Sequence, residues 1–169
     1  MILAPKNFRD IEYIVPRSFF EQNGAEVFTA STEETSTGRF GYEVKNDFVI
    51  KNETSIDSTT FDGICFVGGV GALDFIGNQN VKNLAKLFLK ENKAIGAICA
   101  APRLLLEWGI LKNKKCTGND WDDEFTNLCQ TFGAIHENLE IVIDDNIVTA
   151  YGPEESEQFS VEFLKALAL

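Results

Sequence analysis

KAIGAICAAPRLLLEWG, residues 93–109, opens with a run of small and apolar residues that no charge interrupts after Lys93. A strand of that kind is buried on both faces, as in a parallel sheet covered by helices. The run stops at Cys99, and Ala100, Ala101 and Pro102 lead into RLLLEWG, a helical stretch closed by Gly109. A cysteine therefore falls where a buried strand ends and a helix begins.

The flanking sequence repeats the alternation. FDGICFVGG (residues 61–69) is a second continuous apolar strand, ending in paired glycines. Val81, Leu84, Ala85 and Phe88 mark a helix by their spacing. EIVIDDNIVTAYG (residues 140–152) reads as two strands around an Asp-Asn turn. Near the start, ILA (residues 2–4) is a very short strand and PKNFRD a loop. Pro16 suits the first turn of a helix carrying Phe19 and Phe20 and closed by Asn23-Gly24. AEVFTA (residues 25–30) is a strand, and GRFGYEV and DFVIKN form a small hairpin or irregular insertion. The last helix turns Phe159, Phe163 and Ala166 inward and holds Glu154, Glu155 and Glu157 in its first turn, favourable against the helix dipole. The pattern predicts an α/β protein: a three-layer α/β/α sandwich with a mostly parallel sheet and one domain over residues 1–169. In such folds functional loops gather beyond the carboxyl ends of the strands. That edge should hold residues 5–12, 68–71, 99–102, 117–120 and 152–153.

Composition narrows the function. Hydrophobic residues are 44% of the 169 and charged residues 24%, as in a globular chain. The net charge of −11 argues against a nucleic-acid partner, which demands a basic surface. No apolar run suits a membrane span, and the N-terminus lacks a basic stretch followed by an apolar one, so a cytoplasmic protein without membrane partners is expected. Cys65, Cys99, Cys116 and Cys129 form no CxxC pair, which removes metal-ligand spacing and makes a disulfide framework unexpected. No metal and no cofactor are expected. His136 is the single histidine.

A residue at a sharp strand-to-helix turn stands exposed above the sheet in strained backbone, with small neighbours two positions either side. Ala97 and Ala101 are those neighbours for Cys99. Free N–H groups at a helix start favour a thiolate there. The plainer reading is a buried cysteine serving as a small hydrophobe. Gly68-Gly69 ends a neighbouring strand, where the Gly69 N–H and that of Ala100 can form an oxyanion hole.

Together, ILAPKNFRDIEYIVP, DGICFVGGVGA, AIGAICAAPRLLLEWGIL, DDNIVTAYGP and FSVEFLKAL, in order along nearly the whole chain, resemble the ThiJ/PfpI superfamily. Within it the pattern is similar to the branch of the parkinsonism-associated protein deglycase. The resemblance implies a flavodoxin-like (class I glutamine amidotransferase-like) sandwich, a reactive Cys99 and a homodimer. It implies that Glu12, after the first strand, hydrogen-bonds the cysteine; such a carboxyl needs a raised pKa from burial and neighbouring negative charge. It further implies cofactor-independent glyoxalase- or deglycase-like chemistry on small 2-oxoaldehydes, with Gly68, Asn119, Gly152 and Pro153 lining the site. A redox sensor or chaperone-like protein working through oxidation of Cys99 is the alternative from another class. Peptidase-like members carry a histidine after the cysteine, where this chain has Ala100, so peptidase or amidase activity is disfavoured. The deglycase branch places a histidine where this chain offers Asn119 or Asp120, and His136 reads as a surface residue. Cys65, Cys129 and Trp108 read as core, Cys116 as accessible near the active edge, and Trp121 as lining the site or a subunit interface.

Overall fold

The computed structural model describes residues 1–52 and 54–167. In chain order the elements are β1 (Lys6–Phe8), α1 (Asp10–Gln22), β2 (Ala30–Ser31), β3 (Thr35–Gly38), β4 (Glu43–Lys45), β5 (Phe48–Val49) and β6 (Gly63–Phe66). There follow α2 (Gln79–Lys90), β7 (Ala94–Ile98), α3 (Pro102–Glu107), β8 (Lys115–Cys116), α4 (Phe125–Phe132), β9 (Ile135–His136), β10 (Ile141–Asp144), β11 (Ile147–Ala150) and α5 (Ser156–Leu167).

The central sheet runs β10-β11-β7-β6, parallel except for the β10–β11 hairpin around Asp145-Asn146. Ile2 extends it by bridging Phe66 on one side and Ala30 on the other, which brings in β2 and its parallel partner β5. β7 sits in the middle and is buried on both faces, as an uninterrupted apolar run requires. Ile95 and Ala97 pack into the core with α2 and α3; Ala94 and Ile98 face the opposite layer, with Phe20 of α1 and Phe159 and Phe163 of α5. A Cβ on Gly96 would stand 2.8 Å from Phe163 and 2.9 Å from Phe159, so its missing side chain lets the rings of α5 lie on the strand. The result is the three-layer α/β/α sandwich.

Several local expectations are corrected. PKNFRD is not simply a loop: Lys6–Phe8 pairs in parallel with β3, and the hairpin β3–β4 completes a separate small sheet. α1 starts at Asp10 rather than near Pro16, which lies inside the helix. The anchor is Asp10, whose carboxylate accepts the N–H groups of Phe40 and Tyr42 at 3.0 Å each. Asp10 and Glu12 also place acid at the helix start, where the dipole favours it. Within AEVFTA only Ala30 joins a regular ladder. Glu154 and Glu155 form a 3₁₀ turn before α5, leaving Glu157 in its first turn. No helix among the described residues is long and apolar enough to cross a membrane.

Candidate active site

Cys99 follows the last residue of β7 and has φ of 62°, in the left-handed region that side chains avoid. Hydrogen bonds hold the strained backbone: its N–H donates to Ala150 O (2.9 Å), and its carbonyl accepts from Asn119 N–H (2.9 Å). The N–H of Ala101 closes the turn onto Ile98 O at 3.1 Å. Ala97 and Ala101, the small residues two positions either side, are fully buried. Cys99 is half-buried, whereas Cys65, Cys116 and Cys129 are buried.

Glu12 comes to the elbow from α1. The Arg9 N–H donates to Gly68 O at 2.9 Å, which fastens the start of α1 to the end of β6. Gly68 makes the room: a Cβ there would stand 2.5 Å from Glu12 Oε2, 2.8 Å from Cys99 Cβ and 2.4 Å from Ile98 O. Gly69, at φ of 95°, lets the chain pass within contact of the Arg9 N–H. The Glu12 carboxyl is 0% exposed. Neither oxygen has a partner of ordinary hydrogen-bond geometry among the described residues.

Burial therefore dominates its acidity and pushes the Glu12 carboxyl up to about 7. The Cys99 thiol, the Arg9 charge and the Gly68 N–H pull against that shift, while Glu154 adds to it. Burial, followed by the Glu12 charge, pushes the Cys99 thiol up to about 12, against the N–H groups of Gly69 and Ala100. The expectation of a standing thiolate is thus corrected: near neutrality the proton rests on sulfur, facing a carboxyl poised to take it. α3 starts only at Pro102, so its dipole does not overcome burial beside an acid. The two N–H groups expected to hold an oxyanion, those of Gly69 and Ala100, act directly on the sulfur.

The rest of the expected edge follows β8 and β11. Gly152 is buried, and a Cβ on it would lie 3.4 Å from Glu155 Oε2 and 3.5 Å from both Asn119 Nδ2 and Glu154 Oε2. Pro153 starts the turn that carries both acids. Asp120 is engaged elsewhere, its carboxylate accepting the Phe125 N–H of α4, so Asn119 is the residue of the two that meets Cys99. Arg103 clamps the same loop: it pairs with Asp122 (2.9 Å from Nη1) and donates to Asn119 O at 3.1 Å. Trp121, half-exposed, stacks over this guanidinium at 4.0 Å. Arg9, Glu154 and Arg103 were missed from sequence; Arg9, one helical turn before Glu12, carried a readable signal in its spacing.

His136 lies in β9, edge-on to Phe125 with Nδ1 2.8 Å from Thr126 Oγ1. Trp108, Cys65 and Cys129 are core, as expected. Cys116 is a correction: it is fully buried, with Sγ 3.7 Å from that of Cys129. No group of three His, Cys, Asp or Glu among the described residues is arranged to hold a metal ion.

A cysteine elbow over a parallel sheet, backed by a buried carboxyl, defines a class of cysteine-centred α/β sandwich proteins. The DJ-1/PfpI family model matches residues 1–166, and the chain belongs to that family. A deglycase of Pyrococcus horikoshii is 29% identical over 99% of this chain and 98% of its own. A glutathione-independent glyoxalase of Caenorhabditis elegans is 28% identical over 99% of this chain and 87% of its own. The crystal structure of a ThiJ/PfpI domain protein from Brachyspira murdochii superposes with a TM-score of 0.91 at 27% identity, over 99% of this chain and 94% of that one. The flavodoxin-like sandwich is thereby the family's fold.

Proposed function

We propose that the protein is a cysteine-dependent enzyme that converts small 2-oxoaldehydes to hydroxy acids, with Cys99 as nucleophile and Glu12 as proton carrier. One observation carries the reading: a carboxyl with no exposure stands against the elbow thiol with its pKa near 7. A general acid–base works best when its pKa lies near the operating pH. The names of the deglycase and glyoxalase relatives support the substrate class.

The steps follow from the charges. Ionised Glu12 takes the Cys99 proton as sulfur bonds to the aldehyde carbon, giving a hemithioacetal. The aldehyde oxygen, gaining charge, meets the N–H groups of Gly69 and Ala100. Glu12 returns the thiol proton to that oxygen, completing the hemithioacetal and becoming ionised again. It then moves the carbon-bound proton from the former aldehyde carbon to the neighbouring one, while the hydroxyl proton passes to the neighbouring oxygen, leaving a thioester. Water cleaves the thioester, releasing the hydroxy acid and restoring the thiol. Methylglyoxal and one water give lactate, so no redox partner is required.

The test is methylglyoxal consumption without glutathione or added metal, by wild type, Cys99→Ser and Glu12→Gln. Wild type should turn over and both variants should fall by on the order of 10²–10⁴-fold. Loss of substrate no faster than buffer in wild type, or Glu12→Gln at the wild-type rate, refutes the mechanism. In that event the redox reading takes its place, with a protonated Glu12 donating to a Cys99 sulfinate.

A further inference from the structure

Away from the Cys99 elbow, the described residues contain a second meeting of thiols. Cys116 on β8 and Cys129 on α4 are thirteen positions apart in sequence, and their Sγ atoms are 3.7 Å apart. They are 0% and 1% exposed. Both backbones are tied to one short segment: Ala134 N–H donates to Cys129 O at 2.8 Å, and Glu137 N–H donates to Cys116 O at 2.9 Å. That common anchor fixes the separation of the two cysteines independently of the loop between them. We infer that Cys116 and Cys129 form a second redox site, a thiol pair that closes to a reversible disulfide under peroxide independently of Cys99.

The geometry suits the chemistry. A disulfide needs its sulfurs about 2.05 Å apart, so closure requires roughly 1.6 Å of approach, within the reach of side-chain rotation and a small shift of α4. The two thiols share a hydrogen bond, and that contact lowers the pKa of Cys129, which makes Cys129 the attacking sulfur of the proposed step. Its pKa falls although it is buried, since the contact with Cys116 outweighs desolvation. The route in is local: α4 has eight residues, and no helix or strand lies between its start and the end of β8. Brief opening of such a segment admits a molecule the size of hydrogen peroxide.

The atoms balance with peroxide as oxidant. Cys129 sulfur attacks one peroxide oxygen, the O–O bond breaks, and water leaves once protonated, giving a sulfenic acid. Cys116 sulfur then attacks the sulfenic sulfur; the S–S bond forms, the S–O bond breaks, and the departing hydroxide takes the Cys116 proton. Two thiols and one peroxide become one disulfide and two waters.

The experiment exposes the folded protein to hydrogen peroxide, removes the oxidant, blocks remaining thiols with N-ethylmaleimide on unfolding, and maps peptides without reduction. The expected result is a joined pair of peptides carrying Cys116 and Cys129, lighter by two hydrogens than their sum and separated by dithiothreitol. The same pair should form in Cys99→Ala, and in Cys129→Ser it should vanish without Cys116 joining Cys65 or Cys99. Full maleimide labelling of Cys116 and Cys129, at a peroxide dose that oxidises all of Cys99, overturns the inference. A joined pair that requires Cys99 overturns its independence. Wild type and Cys99→Ala decide the matter even if Cys129→Ser does not fold.

Discussion

Replacing Glu12 by glutamine should make the protein more stable at pH 8 while disabling the proposed chemistry. The reasoning starts from burial. In the unfolded chain the carboxyl ionises at its ordinary value of 4.5, whereas in the folded chain it ionises at about 7. Each tenfold difference in proton affinity is worth about 1.4 kcal/mol, so holding the ionised form in the fold costs ~3 kcal/mol. The folded state binds the proton more tightly, so this group's contribution to stability is fully present below 4.5. It declines as pH rises and is gone above about 7. Glutamine keeps the shape and carries no charge at any of these pH values. The measurement is guanidinium unfolding of both proteins at steps from pH 4 to pH 8, with the difference in unfolding free energy plotted against pH. Other titrating groups are common to both chains and cancel. The difference should move by ~3 kcal/mol in favour of Glu12→Gln across that window, most steeply between pH 5 and 7. A flat difference would show that Glu12 ionises as freely as a surface glutamate, and the buried proton carrier would have to be abandoned.

Three further outcomes follow from the same geometry. Substoichiometric iodoacetamide on the native protein should label Cys99 ahead of Cys65, Cys116 and Cys129, because the latter three are buried; peptide mapping that finds another thiol labelled first contradicts the elbow assignment. Gly68→Ala should cost ~1–3 kcal/mol in chemical denaturation and slow Cys99 labelling, since the new methyl group would overlap Glu12 Oε2, Cys99 Cβ and Ile98 O; an unchanged midpoint would mean the close approach is relaxed in solution. Arg103→Met should leave the fold intact but speed hydrogen exchange at the Asn119 amide, since Arg103 holds that loop through Asn119 O and Asp122; protection equal to wild type would show the clamp to be dispensable.

The parts of the fold legible in sequence were those where one strand or helix satisfies its own pattern. β6 and β7 announced themselves as apolar runs, the first ending in paired glycines and the second at Cys99, the β10–β11 hairpin by its Asp-Asn turn, and α5 showed its inward Phe159 and Phe163 by spacing. What escaped depended on distant partners. Pro16 reads as a helix start because proline fits a first turn. α1 begins earlier only because Asp10 gathers the Phe40 and Tyr42 N–H groups, thirty or more positions away. Lys6–Phe8 is a strand only because β3 lies beside it. Cys116 seemed accessible because its neighbours at 117–120 reach the active edge, yet α4 packs over it. At the site, the cysteine and the paired glycines were visible in the motif. Placing Glu12 rested on a family resemblance, because nothing local to FRDIEY distinguishes a buried glutamate from a solvated one. The reversal of the thiolate expectation has the same origin: the local helix start argues one way, and a carboxyl from another element argues the other.

The left-handed turn at Cys99 bears on what kind of molecule the sulfur can meet. Its Cα–Cβ direction is set by a backbone pinned at Ala150 and Asn119, so the thiol does not travel to reach a bulky partner. The incoming electrophile must make the whole approach to a half-buried atom. The same pinned backbone has no rearrangement to undergo once the sulfur is modified, so the protein should carry its adduct with the main chain around residues 98–101 unmoved.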